Sequence, residues 1–251
     1  MAVRTSRPPP RRRGLVRSGE PHGDRGGAGG KGSVGRDGEG RYVQTRLPGR
    51  TGRAPTLPER PDRAFVACTT GGAYILDITD RSRPAVTGAL QYSGPLPGAA
   101  HTFVPLGSTG FAVLADETLE EGAADFPQNA WVVDARIENR PLIVGSVTPP
   151  WPEPVPAQGR FGAHNLHEYP PDRGAWCSFD IVAGAFFCLG IAVFDFTSPL
   201  RPRELGHFAP ATAGEGPVTG QLNDVFIDDR GVIYAVDRRT DLCYMLEIES
   251  A

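Results

Sequence analysis

A period of 50 to 60 residues constrains this chain more than any other feature of its sequence. Ile75-Leu76-Asp77-Ile78, Val132-Val133-Asp134-Ala135 and Val193-Phe194-Asp195-Phe196 each close a run of β-forming residues. Seven residues after each Asp stands the Pro of an Arg-Pro pair, at Pro84, Pro141 and Pro202. Four residues further on is a glycine, at Gly88, Gly145 and Gly206. Met245-Leu246-Glu247-Ile248 is a fourth, truncated copy, so the spacings are 57, 61 and 52 residues. A period of this size belongs to supersecondary units that bury their faces on one another.

Turn signals share the period. Asp172-Arg173-Gly174 and Asp229-Arg230-Gly231 precede the expected strands 175–180 and 232–237, Asp62-Arg63 precedes 64–69, and Gly110 precedes 111–116. Upstream of three of these turns lies another expected strand, over 101–106, 164–169 and 223–228. Each unit reads as four antiparallel strands, with the Arg-Pro corner opening the outermost one, where a missing N–H costs least. This predicts an all-β, β-propeller-like fold of about four blades, the first and last incomplete. A sandwich or solenoid of the same strands is the alternative. With 32 Gly and 25 Pro in 251 residues, a helical bundle is excluded. No phosphate-binding loop, dinucleotide fingerprint or zinc-finger spacing occurs.

Residues 1–61 differ from the rest. They hold 13 Gly and 8 Pro and almost no apolar periodicity, which predicts a disordered Arg/Gly/Pro-rich arm. Such a segment reads as a basic arm for nucleic acid or an acidic partner, as a solvated tail, or as an artefact of the gene start. Residues 1–63 carry a net charge of +9, leaving −12 on the remaining 188, so the body repels phosphate and a nucleic-acid partner is not expected. The arm lacks an apolar stretch behind its arginines, and the longest apolar run, 181–194, is too short to span a bilayer. Cys68, Cys177, Cys188 and Cys243 lie far apart, which reads as small buried thiols in a cytoplasmic protein with no membrane partner.

The repeated Asp…Arg-Pro…Gly blades, the segment Ala100-His101-Thr102-Phe103-Val104-Pro105-Leu106, and above all 159–168 (Gly-Arg-Phe-Gly-Ala-His-Asn-Leu-His-Glu) resemble the LVIVD-repeat β-propeller proteins of bacteria. Residues 223–237 are similar to that family's last blade, and the resemblance covers about 62–251. It implies a propeller fold and leaves the reaction open, since most of the family is uncharacterised. A weaker likeness is to selenium-binding-protein propellers, some of which oxidise methanethiol at a metal. Family members carry roughly twice as many blades, so the chain resembles the C-terminal half of a larger propeller. The expected partners are a second copy or a separately encoded N-terminal half, besides an unknown small ligand. Residues 54–60, where an inner strand of the first blade belongs, contain Pro55 and Pro58, and the last blade lacks an outer strand.

Aligning the blades places His101, His164 and Asn223 at one position, followed by Thr102, Asn165 and Asp224. Two histidines at one blade position converge on one channel mouth, where imidazoles bind a transition metal ion or plug a polar channel. His167 is a third candidate ligand, although a regular strand points it away from His164 unless Asn165 sits in a bulge. Glu168 and Asp224 are candidates for a ligand, a general base or strand-end caps. Arg160, Asn165 and Asn223 are candidates for ligand binding. Asp77, Asp134 and Asp195 are assigned to turn geometry. The expected function is that of a binding or interaction scaffold, or a truncated propeller, with a His-lined channel; the alternative is a metal-dependent, oxidoreductase-like enzyme using the same histidines.

Overall fold

The computed structural model describes residues 60–91, 98–125, 127–168, 174–210 and 220–248, together with the backbone of 3–5, 35–36 and 42–43. Three strands come from the arm: β1 (Val3–Thr5), β2 (Gly35–Arg36) and β3 (Tyr42–Val43). The first blade is β4 (Arg63–Ala67), β5 (Ala73–Asp77) and β6 (Ala85–Leu90). The second is β7 (Ala100–Leu106), β8 (Phe111–Asp116), β9 (Ala130–Asp134) and β10 (Leu142–Val147). The third holds β11 (Ile181–Ala185), β12 (Ile191–Asp195) and β13 (Arg203–Phe208). The fourth holds β14 (Leu222–Ile227), β15 (Ile233–Asp237) and β16 (Cys243–Ile248). All pairings are antiparallel and run outward in chain order within each blade, so the protein is all-β and β-propeller-like.

The repeat motif is the blade's corner chemistry. Asp77, Asp134 and Asp195 each accept, through Oδ1, the backbone N–H two residues on, from Thr79, Arg136 and Thr197. Pro84, Pro141 and Pro202 immediately precede the outer strands β6, β10 and β13. Two residues into each outer strand the register slips, leaving Thr87, Val144 and Leu205 as bulges beside Gly88, Gly145 and Gly206.

Period-2 alternation sends each blade's side chains to its two faces, and the core is the set of seams between blades. On β4, Phe65 and Ala67 join Ala100, Phe103, Leu114 and Trp131 of the second blade, while Ala64 and Val66 pack with Tyr74 on the opposite face. Val104, Val113 and Val132 meet Val182, Ala192 and Phe194 between the second and third blades. Ala183, Ala185 and Val193 meet Val225, Ile233 and Leu246 between the third and fourth. Fully burying a side chain such as Phe103 contributes about 1.5–3 kcal/mol. Among the described residues no cluster joins the fourth blade to the first, and the sheets do not close into a ring.

Three expectations are corrected. The last blade does have an outer strand, because Val3–Thr5 pairs with Leu246–Ile248. That strand, with β2 and β3, lies in the segment expected to be disordered, whose other residues up to 59 lie outside the described ones. In the third blade the second strand is Ile181–Ala185 and not 175–180: the apolar run, free to bury both faces, wins over the turn signal before it. Cys177 and Cys243 are exposed, while Cys68 is buried and Cys188 half-buried, and none of the four is in a disulfide. Among the described residues no helix is long and apolar enough to cross a membrane.

Candidate metal centre at the channel mouth

The innermost strands carry aligned irregularities. The register of β7 against β8 skips His101, and that of β14 against β15 skips Asn223. In the third blade the inner segment forms bridges only, Phe161 to Phe187 and Leu166 to Gly184. There His164 N–H donates to Ala185 O while Ala185 N–H donates to Asn165 O, again two residues against one. A bulge re-aims its side chain out of the pleat. The repeat thus delivers His101 and His164 to the same place, with ring centroids 4.1 Å apart.

Glu117 completes the cluster. The ligand atoms of His101, Glu117 and His164 all lie within 4.8 Å of one another, and His164 Nε2 is 3.6 Å from Glu117 Oε1. Sequence reasoning missed Glu117. The available signal was positional: Asp116 and Asp237 pair with the first residues of their inner strands, Ala100 and Leu222, so Glu117 and Arg238 stand at equivalent places one residue on.

Protonation is set by the surroundings. His164 is 6% exposed, and its Nδ1–H donates to Asn223 O at 2.6 Å, which leaves the Nε2 lone pair facing Glu117. Burial pushes the His164 pKa down to about 3, reinforced by His101 and by the positive charges of Arg238 and Arg160. The ring is therefore neutral at physiological pH, the form that binds metal. His101 Nδ1 lies 3.2 Å from Thr102 Oγ1, which itself contacts His164 O and Asn165 Oδ1 at 3.4 Å. Asn165 Nδ2 donates to the same Asn223 carbonyl as His164, so Asn165 and the Asn223 backbone serve to orient the histidine.

Arg160 donates to Glu117 Oε1 at 3.3 Å, and its guanidinium carbon lies 5.6 Å from the Phe187 ring centre. Arg238 lies over the same ring at 5.9 Å, and His164 stacks on it at 4.7 Å.

His167 does not belong to the cluster. Its Nε2–H donates to Trp176 O and its Nδ1 accepts Ile227 N–H, so both ring nitrogens are engaged in the seam between the third and fourth blades. Burial lowers its pKa as well. The bulge at His164 and Asn165 turns only the first histidine inward. Asp224 Oδ1 accepts the N–H of Val225 and caps its own strand. Neither Asp224 nor Glu168 falls within the His101–Glu117–His164 cluster.

No family model and no curated protein matches the chain. Among solved structures, the periplasmic gluconolactonase PpgL of Pseudomonas aeruginosa is similar with a TM-score of 0.50 at 18% identity, over 84% of this chain and 61% of that one. Raptor of Chaetomium thermophilum is similar with a TM-score of 0.55 at 13% identity, over 83% of this chain and 16% of that one. These likenesses show the propeller-like fold. The chain spans about three-fifths of the gluconolactonase it matches.

Proposed function

We propose that this chain is a propeller-type binding module, of the LVIVD-repeat kind its sequence resembles, whose site is a transition-metal centre formed by His101, Glu117 and His164. The observation that carries this reading is the convergence of three ligand atoms within 4.8 Å, one of them a buried neutral imidazole nitrogen already 3.6 Å from the carboxylate. Neighbouring donors around a tetrahedral Zn²⁺ at about 2.1 Å stand about 3.4 Å apart, so that pair needs little movement. Two imidazoles and one carboxylate suit Zn²⁺, Fe²⁺ and related ions. The −12 body charge attracts cations in general, and the four cysteines, none in a disulfide, support a reducing, cytoplasmic setting. A metal-dependent, oxidoreductase-like enzyme is the second reading, favoured by the same geometry, because three protein ligands leave coordination positions for water or substrate.

Calorimetric titration of metal-stripped full-length protein with Zn²⁺ and Co²⁺ tests the proposal. One ion per chain is expected for wild type, with binding abolished in His101→Ala/His164→Ala and kept in His207→Ala, whose ring bonds Leu189 O and is not part of the cluster. Stoichiometric binding that survives the double substitution overturns it.

A further inference from the structure

Two arginines converge on the proposed cation site, where Glu117 is the one carboxylate of the cluster. Arg160 and Arg238 come from different blades, yet both guanidinium groups lie within 6 Å of the centre of Phe187, the ring against which His164 stacks. Arg238 occupies the place in the fourth blade that Glu117 occupies in the second, so the repeat itself aims it at the channel mouth. Glu117 is the one carboxylate of the cluster against these two guanidinium groups, and a divalent ion raises the local positive charge further. This positive spot sits on a body of net charge −12, where scattered surface charge favours the opposite sign.

We propose that the metal centre takes a small oxyanion, a carboxylate or phosphate group, as its exogenous ligand, with Arg238 and Arg160 holding the oxygens that the metal does not. The proposal rests on the metal reading above and deepens it by naming the ligand class. A planar guanidinium fork matches two oxygens of such a group, and a charge-assisted pair in a partly desolvated site is stronger than one in water. Arg160 is already tethered through Glu117, itself a metal ligand, so it fixes the angle of approach. Arg238 is the exposed one and acts as the clamp that an incoming ligand meets first. Neutral molecules of the same shape gain nothing from either arginine and are excluded by comparison.

The test uses the visible absorption of the full-length protein loaded with Co²⁺. Titration with sodium acetate and, in a parallel arm, with inorganic phosphate is expected to shift the Co²⁺ bands saturably, and the tighter arm identifies the oxyanion class. Acetamide at the same concentrations is expected to leave them unchanged. Arg238→Gln is expected to weaken oxyanion binding roughly ten-fold or more, the worth of one charge-assisted hydrogen bond, with Co²⁺ affinity kept. Arg230→Gln, which loses its bonds to Asp228 and the Tyr234 hydroxyl, is expected to behave as wild type. The failures are separable. A wild type that shows no protein-bound Co²⁺ bands overturns the metal centre and this proposal with it. Bands that form but ignore both oxyanions, or that respond equally in Arg238→Gln, overturn the oxyanion site alone.

Discussion

His101 and His164 face each other ring to ring, with centroids 4.1 Å apart and planes inclined by 36°, although 62 residues of chain separate them. Two imidazolium ions at that distance repel strongly, so the pair is stable only with at least one ring neutral, and His164 is that ring. The remaining Nε2 lone pair faces the Glu117 carboxylate at 3.6 Å, the arrangement of two ligands around one cation. This makes Glu117 the residue whose removal is most informative.

Glu117→Gln keeps the size of the side chain and an amide oxygen for Arg160, while deleting the negative charge. Competition titration with a chromophoric Zn²⁺ chelator is expected to show affinity reduced by at least ~10–100-fold. The melting temperature of the metal-free protein is expected to move little, since Glu117 is partly solvated. Unchanged affinity in this variant removes the carboxylate from the centre.

His167→Ala separates structure from ligation. Losing the ring leaves Trp176 O and Ile227 N–H without their partner in a buried seam. Each orphaned group costs about 1–3 kcal/mol, so urea denaturation is expected to show a loss of that order or somewhat more. Zn²⁺ affinity of the folded protein is expected to match wild type. A metal-deficient but stable variant contradicts this assignment.

What the sequence made legible follows from periodicity. The Asp-to-Pro-to-Gly spacing encodes an Asx turn, an edge-strand proline and a bulge, three local devices that need no tertiary information, and it located β5–β6, β9–β10 and β12–β13. Aligning blades also put His101 beside His164, because equal blade positions become neighbours around a channel. The third blade was misread where two signals competed: 175–180 follows a turn but packs poorly, whereas 181–185 is apolar on both sides. Glu117 and β1 were missed for another reason. One depends on which side chain a register delivers to the mouth, the other on a pairing across more than 240 residues of chain.

Acidification has a defined sign in the metal-free protein. His164 titrates near 3 in the native state against about 6.5 when unfolded, and His167 is also held below its ordinary value by burial. Between these limits the unfolded chain binds more protons, so stability falls as pH is lowered through 6.5 and continues to fall toward 3. Each such histidine contributes a slope of up to about 1.4 kcal/mol per pH unit. Asp77, Asp134 and Asp195, held below the usual carboxylate range chiefly by hydrogen bonds from turn N–H and hydroxyl groups and from Arg136, add their losses only at lower pH. Urea midpoints measured from pH 7 to 4.5 are expected to drop steadily, and His164→Gln is expected to flatten the slope. A flat wild-type profile contradicts a neutral buried His164.

The thiols divide by burial. Desolvation pushes the Cys68 and Cys188 pKa values up to about 11, so both remain protonated at pH 8. Iodoacetamide at that pH is expected to modify Cys177 and Cys243 in the native protein and to reach the other two only after unfolding, as read by peptide mass spectrometry.

The repeat glycines Gly88 and Gly145 share a sequence position and have no positive φ, yet substitution should separate them. A Cβ on Gly88 falls 1.9 Å from the carbonyl oxygen of Glu138, in the turn between β9 and β10. That oxygen is backbone and cannot rotate away. The same turn is tied down by Glu138, which pairs with Arg63 at 3.0 Å and Arg60 at 2.9 Å across the seam between the first two blades. Gly88→Ala must therefore push the blades apart, at a cost of about 1–3 kcal/mol or more, with the seam around Ile75 and Trp131 loosened. A Cβ on Gly145 meets only the Val132 side chain, at 3.8 Å, an ordinary contact. Gly145→Ala is expected to stay within about 0.5 kcal/mol of wild type in denaturant titration. Equal losses at the two sites would mean that the repeat conserves glycine for the bulge beside it, and unequal losses that close approach between blades sets the requirement only where a neighbouring turn leans in.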